Sequence, residues 1–209
     1  MIKAIARLAL LALFLPFLLH ADYILRNDLL NPKAIQFVKT MAEELHTKTG
    51  VNGYLIATNE HFPERYNLVA YSKKYDANMS KPYVLFIFAP FALITEKSQQ
   101  RGRVALIPSS KNIAAMYDKR NIMDATIDVI AGVDKNKIED KHAIGVVQGY
   151  SELADEIAKA KGVELEHTIK ETRQGFWVVQ ALVLLGTAIV FWIFFFRPLY
   201  IRIRDGKKA

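Results

Sequence analysis

Residues 83–89 read YVLFIFA, an apolar run rich in aromatic and β-branched side chains. A strand with one solvent face alternates apolar and polar residues, whereas this run is apolar on both faces. It therefore predicts a central strand that is covered on both sides. The run continues as far as Ile94, and the polar stretch 96–102 separates it from RVALI at residues 103–107. We expect the two strands to form a hairpin.

A helix and a strand are predicted before this run. Asn31 and Pro32 are residue types preferred at an N-cap and at the first helical position, and apolar residues follow at helical spacing as far as Gly50. Residues 51–58 (VNGYLIAT) then predict a short strand. Between that strand and the central one, residues 63–75 predict a second helix. Its core-facing residues are expected to be Tyr66, Val69 and Ala70.

Three helices are predicted after the hairpin, over residues 113–118, 121–131 and 137–161. Gly145 and Gly149 in the last helix leave room for close packing against another element. His142, in the same helix, is equally typical of a surface residue, and no role is assigned to it. The order of elements predicts an α/β fold, a three-layer α/β/α sandwich with a short central sheet in a single domain.

The longest apolar run lies near the end of the chain, at residues 176–196, and carries no charge. At about 1.5 Å per residue it spans about 31 Å, the thickness of a bilayer's hydrocarbon core. Trp177 and Trp192 lie near its ends, where headgroup-level aromatic rings are favoured. We expect one C-terminal transmembrane helix here. Residues 162–175 are then a charged juxtamembrane tether, and residues 197–209 a basic cytoplasmic tail.

The chain begins with a second membrane signal, residues 1–21. Lys3 and Arg7 precede an apolar run that ends before Ala21, which is the arrangement of a signal peptide. An uncleaved N-terminal anchor is the alternative. Basic residues before the first apolar segment and after the last place both ends in the cytoplasm. The domain at residues 22–161 is therefore expected on the periplasmic (extracytoplasmic) side of the inner (plasma) membrane, in a single-pass protein.

The net charge of +7 follows from this topology. Of 28 basic and 21 acidic residues, two basic ones lie in residues 1–21, and five basic and one acidic lie in residues 197–209. Residues 22–175 therefore hold 21 basic and 20 acidic residues, which excludes a nucleic-acid partner for the domain. The absence of cysteine excludes disulfides, zinc–thiolate sites and thiol nucleophiles.

Residues 24–161 resemble the TPM domain family of exported and thylakoid-lumen proteins. The similar stretches are Asp28-Leu29-Leu30-Asn31-Pro32, ELHTKTGVNGYLIAT at residues 44–58, Asn121-Ile122-Met123-Asp124-Ala125, and QGYSELADEIAKA at residues 148–160. Where the family usually has a glycine-rich step after the strand pair, this chain has Ile107-Pro108-Ser109-Ser110-Lys111. The resemblance implies an α/β/α sandwich, often with a C-terminal membrane helix. It also implies calcium binding in some members, acid phosphatase activity in a few, and assembly or maintenance of membrane complexes in others.

Two groups of residues are candidates for ligand binding. Asp124 and Asp128 share one face of a helix, and Asp28 joins them in a calcium site if the N-terminal loop packs beside that helix. The alternative is that they are ordinary helix acids in a favourable dipole or in solvent. Ser109, Ser110 and Lys111 open a helix after a strand, as in phosphate or carboxylate sites. The alternative there is an ordinary serine N-cap.

The function expected from these features is interaction rather than catalysis. No complete catalytic set is visible, so no catalytic residue is assigned. We expect a membrane-tethered extracytoplasmic module that binds another membrane helix or assists the assembly or maintenance of a membrane protein complex. The alternative, implied by the resemblance, is a calcium-dependent phosphomonoester hydrolase of the acid phosphatase type.

Overall fold

A computed structural model describes residues 22–132, 137–169, 183–189 and 191–196. The chain divides after Ile169 into two compact units. The first unit is a mixed α/β domain with one four-stranded sheet and several helices, which is compatible with the predicted α/β/α sandwich.

The elements of the first unit, in chain order, are β1 (Ile24–Asn27), α1 (Pro32–Thr49), β2 (Asn52–Ala57), α2 (Leu68–Ser72), a 3₁₀ helix (Lys73–Asn78), β3 (Tyr83–Thr95), β4 (Gln100–Pro108), α3 (Lys111–Ala114), α4 (Lys119–Ala131) and α5 (Ile138–Ala160). The sheet order is β1-β2-β3-β4, with the first three strands parallel and β4 antiparallel to β3. The prediction of a buried strand between two neighbours is confirmed, because every residue of β3 from Val84 to Ala89 is buried.

Successive residues of β2 point to opposite faces of the sheet. Gly53 faces α1 and α5, since a Cβ atom there would lie 2.4 Å from the Tyr150 hydroxyl oxygen and 3.2 Å from Leu45. The Tyr150 hydroxyl donates a hydrogen bond of 2.7 Å to the Gly53 carbonyl. Tyr54 points the other way, where its hydroxyl accepts a hydrogen bond of 3.0 Å from the amide of Ser80. The long helices therefore cover one face, and the segment between β2 and β3 covers part of the other.

Helix α1 begins and ends at the residues that the sequence predicts. Asn31 caps the start by accepting from the amide of Ala34 at 2.9 Å, and Pro32 occupies the first turn. Gly50 ends the helix in the left-handed conformation, with φ of 73°, a region that favours glycine.

Helices α4 and α5 pack closely through two glycines. A Cβ atom at Gly145 would lie 2.8 Å from the carbonyl oxygen of Thr126, and one at Gly149 would lie 1.9 Å from the hydroxyl oxygen of the same residue. Neither position has room for a side chain. The close packing predicted from the glycine spacing is confirmed.

The prediction of a helix over residues 63–75 is wrong, both in the length of the helix and in the residues that face the core. Helix α2 has only five residues. It starts at Leu68 because the Asn67 side chain caps it by accepting hydrogen bonds from the amides of Val69 and Ala70. A 3₁₀ helix follows it directly. The buried residues are Leu68 and Tyr71. The three residues expected to face the core are exposed instead: Tyr66, Val69 and Ala70.

Other differences concern short elements. Strand β1 is not predicted, since it has only four residues; it pairs with β2 and completes the parallel part of the sheet. The hairpin turn is shorter than expected because β3 continues to Thr95 and β4 starts at Gln100. Pro90 lies where the β3–β4 register shifts, so its missing N–H group does not end the strand.

In the second unit, residues 183–189 are helical and Trp192–Phe196 forms a π-helix. Within the described ranges, no helix has the length and apolar character needed to cross a membrane. The predicted signal segment and cytoplasmic tail lie outside the described residues. So do residue 190 and residues 176–182 of the predicted transmembrane segment.

Candidate functional site

Asp28 lies at the carboxyl end of β1, within a cluster of polar side chains. Its Oδ2 atom accepts hydrogen bonds from Arg26 Nε at 2.8 Å, from the Thr58 hydroxyl at 3.2 Å and from the Asn59 amide at 3.2 Å. These contacts come from β1 and from the residues after β2, which end at the same edge of the parallel pair. Asp28 is thus held by partners within the protein.

Asp124 and Asp128 lie on α4 and are exposed to solvent. Calcium is held by six to eight oxygen ligands, which calls for several converging carboxylate or carbonyl groups. Among the residues that the structure describes, no three or more His, Asp or Glu side chains converge in a way that could hold a metal ion. The structure therefore does not bring Asp28 together with the two α4 residues into such a group.

Ser110 acts as the N-cap of α3, accepting a hydrogen bond of 3.3 Å from the Ile113 amide. The Ser109 hydroxyl accepts from the amide of Tyr83 at 2.9 Å and joins the start of β3 to the end of β4. Lys111 is exposed in the first turn of this four-residue helix. The geometry thus matches the ordinary capping interpretation.

An ionic cluster that sequence reasoning missed surrounds Arg26. Its Nη1 atom donates to Glu60, and to the Tyr71 hydroxyl at 2.9 Å. Lys74 lies 3.9 Å from the Glu60 carboxylate and 3.7 Å from the centre of the Tyr71 ring. With Asp28, the cluster joins two carboxylates to two cations, so its charges balance internally.

The pKa values in this cluster follow from those contacts. Burial alone lowers the pKa of Arg26, but the hydrogen bond to Glu60 outweighs it and the pKa is raised. The pKa of Tyr71 is raised, first by burial and then by its hydrogen bond with Tyr75. Arg26 therefore stays charged and Tyr71 stays neutral at ordinary pH. Because each charged group already has a partner of opposite charge, the cluster is typical of a structural brace.

A second polar cluster fixes the segment that follows α5. Both oxygens of Glu44 accept backbone hydrogen bonds, 2.7 Å from the amide of Glu166 and 3.0 Å from that of His167. The His167 ring adds a contact of 2.9 Å, and Lys48 lies 2.7 Å from the same carboxylate. Burial alone raises the pKa of Glu44, but the hydrogen bonds from Lys48 and the two amides outweigh it and lower the pKa to about 2.

The first part of the predicted tether thus belongs to the domain. Leu165 and Thr168 are buried, and the Thr168 hydroxyl donates to Asp155 at 2.7 Å. The amide of Ile169 donates to the Ser151 hydroxyl at 2.6 Å. Residues 163–169 consequently lie against α1 and α5 rather than extending away from them.

This arrangement creates an apolar surface between α1 and α5, which we call the α1–α5 face. Phe37 is 46% exposed, Ile144 is 44% exposed and Ile169 is 40% exposed. All three line one shallow groove of about 220 Å³. Ile144 thus contributes apolar surface from α5, as Phe37 does from α1.

A larger groove of about 480 Å³ lies between the β3–β4 hairpin and α4. Its lining combines apolar residues of both elements with Arg101, Arg103 and His142. His142 is only 6% exposed, and its ring packs edge-on against Phe88 and Phe91 at 5.7 Å each. Burial lowers the pKa of His142, against the opposing effect of nearby Glu139. The interpretation of His142 as a surface residue is therefore wrong.

No protein-family model matches this chain, and no curated protein matches it significantly. The resemblance to the TPM domain family therefore stays a prediction. The same holds for the calcium site and the phosphatase activity that the resemblance implies.

Proposed function

We propose that this protein is a membrane-tethered, extracytoplasmic interaction module with an α/β/α sandwich domain. Its α1–α5 face binds an apolar segment of a membrane protein partner. The observation that carries the proposal is the contiguous exposure of Phe37, Ile144 and Ile169 around one groove. Single exposed apolar residues are common on protein surfaces, whereas contiguous apolar patches are typical of interaction sites.

The face is pre-organised by polar contacts on the segment that carries Ile169. Glu44 fixes two backbone amides of that segment, and Ser151 fixes the amide of Ile169 itself. A partner that binds here does not have to order the segment first, which reduces the entropic cost of association. A groove between two helices also suits an apolar helix of a partner, which would place its side chains between Phe37 and Ile144.

Chain connectivity supports a partner at the membrane. Seven positions in sequence separate Ile169 from Phe176, where the predicted transmembrane segment begins. We therefore assign the apolar segment to an integral membrane protein, whose own helix ends are apolar and rich in aromatic residues. A role in assembling or maintaining a membrane complex follows from such binding.

The polar clusters favour binding over catalysis. The cluster around Arg26 is neutralised by its own carboxylates, and the Ser110 hydroxyl is engaged as a helix cap. A nucleophile needs a nearby base within hydrogen-bond reach, and neither group has that arrangement with an adjacent histidine in the described part of the chain.

Site-specific photo-crosslinking in native membranes tests the proposal. A photoreactive phenylalanine analogue replaces Phe37 or Ile144 in the full-length chain, and Lys39 on the opposite side of α1 provides the control position. We expect the same integral membrane protein to be captured from both test positions and not from Lys39. An Ile144→Asp substitution should abolish capture from Phe37, because a carboxylate cannot enter an apolar contact without loss of hydration.

Two results would contradict the proposal. Equal capture from Lys39 would show that the contact is non-specific. Hydrolysis of a phosphomonoester by the purified chain, dependent on calcium and lost in Asp124→Asn, would instead support an enzyme of the phosphatase type.

A further inference from the structure

We infer that the groove between the β3–β4 hairpin and α4, here called the hairpin groove, binds a small amphipathic anion with an apolar body and a carboxylate-like head. This site is separate from the α1–α5 face and does not depend on the function proposed for that face. Its volume of about 480 Å³ lies within the range of small-molecule sites, about 300–1,000 Å³.

The body of the ligand is matched by the apolar walls of the groove. Phe88 and Val104 contribute from the hairpin, and Met123, Ile127 and Ile130 contribute from α4. Ile127 is an apolar residue of α4 that is exposed to solvent. Its side chain faces the groove, where an apolar ligand would cover it and remove that surface from water. The thioether of Met123 adds an adaptable wall.

The head group is matched by two arginines on β4. Arg101 Nη1 lies 2.8 Å from His61 Nδ1, and Arg103 Nη1 donates to the Tyr66 carbonyl at 2.7 Å. One contact is to a ring nitrogen and the other to a backbone carbonyl, so neither partner is a carboxylate. Within the described part of the chain, neither guanidinium forms an ion pair with a carboxylate. Each keeps several N–H donors in a planar fork that fits a carboxylate.

Charge in the groove is consistently positive or neutral. The eleven lining residues, all within the described ranges, include the two arginines and no acid. Asp124 and Asp128 lie on α4 but are not among the lining residues, and Glu139 is one helical turn before His142. An anion with an apolar body therefore complements the groove, whereas a cation with the same body does not.

His142 provides a further polar contact at the inner end. It is nearly buried, it lines the groove, and no hydrogen-bond partner for its ring is found among the described residues. No buried side-chain nitrogen or oxygen among the described residues lacks a hydrogen-bond partner, so the ring nitrogens of His142 are accessible from the groove and can contact a polar atom of a ligand. A neutral imidazole there offers one N–H donor and one acceptor nitrogen.

Binding is tested with octanoate as the probe and octanamide as a neutral control with the same apolar body. The full-length chain is labelled with ¹³C-methyl methionine and held in nanodiscs of zwitterionic lipid. The methyl signal of Met123 reports binding in the groove. The methyl signal of Met41, a fully buried residue of α1, reports the state of the core. We expect octanoate to shift the Met123 signal saturably, with an affinity at least tenfold higher than that of octanamide and no shift at Met41.

Three variants locate the two parts of the site. Arg101→Gln and Arg103→Gln should each weaken octanoate binding about tenfold, because a charge-assisted hydrogen bond is lost, and should leave octanamide binding unchanged. Ile127→Trp adds bulk at an exposed helix position, so it should fill the groove and prevent binding of both probes. An unchanged Met41 signal confirms that each variant is folded.

The inference is overturned by any of three results. Equal affinity for octanoate and octanamide would remove the anion-binding part. Full octanoate affinity in both arginine variants would place the charge recognition elsewhere. A Met123 signal that does not move at millimolar octanoate would exclude the groove as the site.

Discussion

Removing the charge of Glu44 should release the segment that follows α5. In the wild-type protein this carboxylate accepts from the amides of Glu166 and His167 and contacts Lys48. Glu44→Gln keeps the size of the side chain and one acceptor oxygen but loses the negative charge. Hydrogen bonds to a charged acceptor are about twice as strong as neutral ones, so the two amides should become less protected.

The magnitude follows from the pKa of Glu44, which falls from 4.5 to about 2. At about 1.36 kcal/mol per pKa unit, the ceiling on the stabilisation is about 3.4 kcal/mol. The Glu44 side chain is only 10% exposed, but Lys48 is 33% and His167 is 58% exposed, so solvent screens their contributions. We therefore expect a loss of about 1–2 kcal/mol at pH 7.

Hydrogen–deuterium exchange of the full-length chain measures this loss at the segment itself. A loss of about 1–2 kcal/mol should make the amides of Glu166 and His167 exchange about 5- to 30-fold faster in Glu44→Gln. Glu164→Gln is the matched control, because it neutralises an exposed carboxylate in the same segment without touching these amides. Unchanged exchange in Glu44→Gln would refute the role of the charge.

The same contribution has a defined pH dependence. Because the folded-state pKa is lowered, the stabilisation is complete well above pH 4.5 and is lost as the pH falls toward about 2. After correction for intrinsic exchange rates, the difference between wild type and Glu44→Gln at pH 3 should be less than half of its value at pH 7. A difference that does not change with pH would mean that the variant acts through shape rather than charge.

Three further predictions concern the core and the metal. Gly149→Ala should lower the free energy of unfolding by about 1–3 kcal/mol or more, because its Cβ atom would lie 1.9 Å from the Thr126 hydroxyl; adding Thr126→Ala should restore part of the loss in denaturant melts. Tyr150→Phe should lower the stability by about 1–2 kcal/mol at pH 7 through loss of the bond to the Gly53 carbonyl. Burial raises the pKa of Tyr150, so the wild-type protein should lose stability as the pH rises above about 10, where unfolded tyrosine ionises, and Tyr150→Phe should lose less. Thermal melts with calcium and with a chelator test the predicted calcium site: a calcium-dependent rise lost in Asp124→Asn would establish it, and coincident melts would contradict it.

The parts of the fold that local sequence determines are the parts that could be predicted. Helix α1 carries its own start and stop in Asn31, Pro32 and Gly50, and β3 is apolar on both faces because it is covered on both. The prediction for α2 is wrong because it misidentifies the residue that caps this helix. The capping side chain is Asn67, so the helix starts at Leu68, five residues later than predicted, and a different set of residues faces the core.

The polar sites could not be predicted because their partners are far apart in sequence. Arg26 and Glu60 are 34 residues apart, and they meet only because β1 lies parallel to β2. Strand β1 is four residues long, too short for a periodic pattern to reveal it. The same difficulty applies to Glu44, whose amide partners lie more than 120 residues later in the chain.

Carboxylates that look alike in sequence therefore have different roles in the fold. Glu44 and Asp124 both lie within amphipathic helices, yet Glu44 is covered by a returning segment while Asp124 remains in solvent. Asp124, the predicted metal ligand, is exposed to solvent. Glu44, whose pKa is strongly lowered, stabilises the segment that forms part of the α1–α5 face. The hairpin groove is lined instead by two cations, Arg101 and Arg103, and neither forms an ion pair with a carboxylate of the described residues. The acids of this domain are either paired within the protein, as Glu44 is, or solvated, as Asp124 is. We therefore expect ligand recognition at Arg101 and Arg103, which have no such ion-pair partner in the described part of the chain, and at the exposed apolar residues.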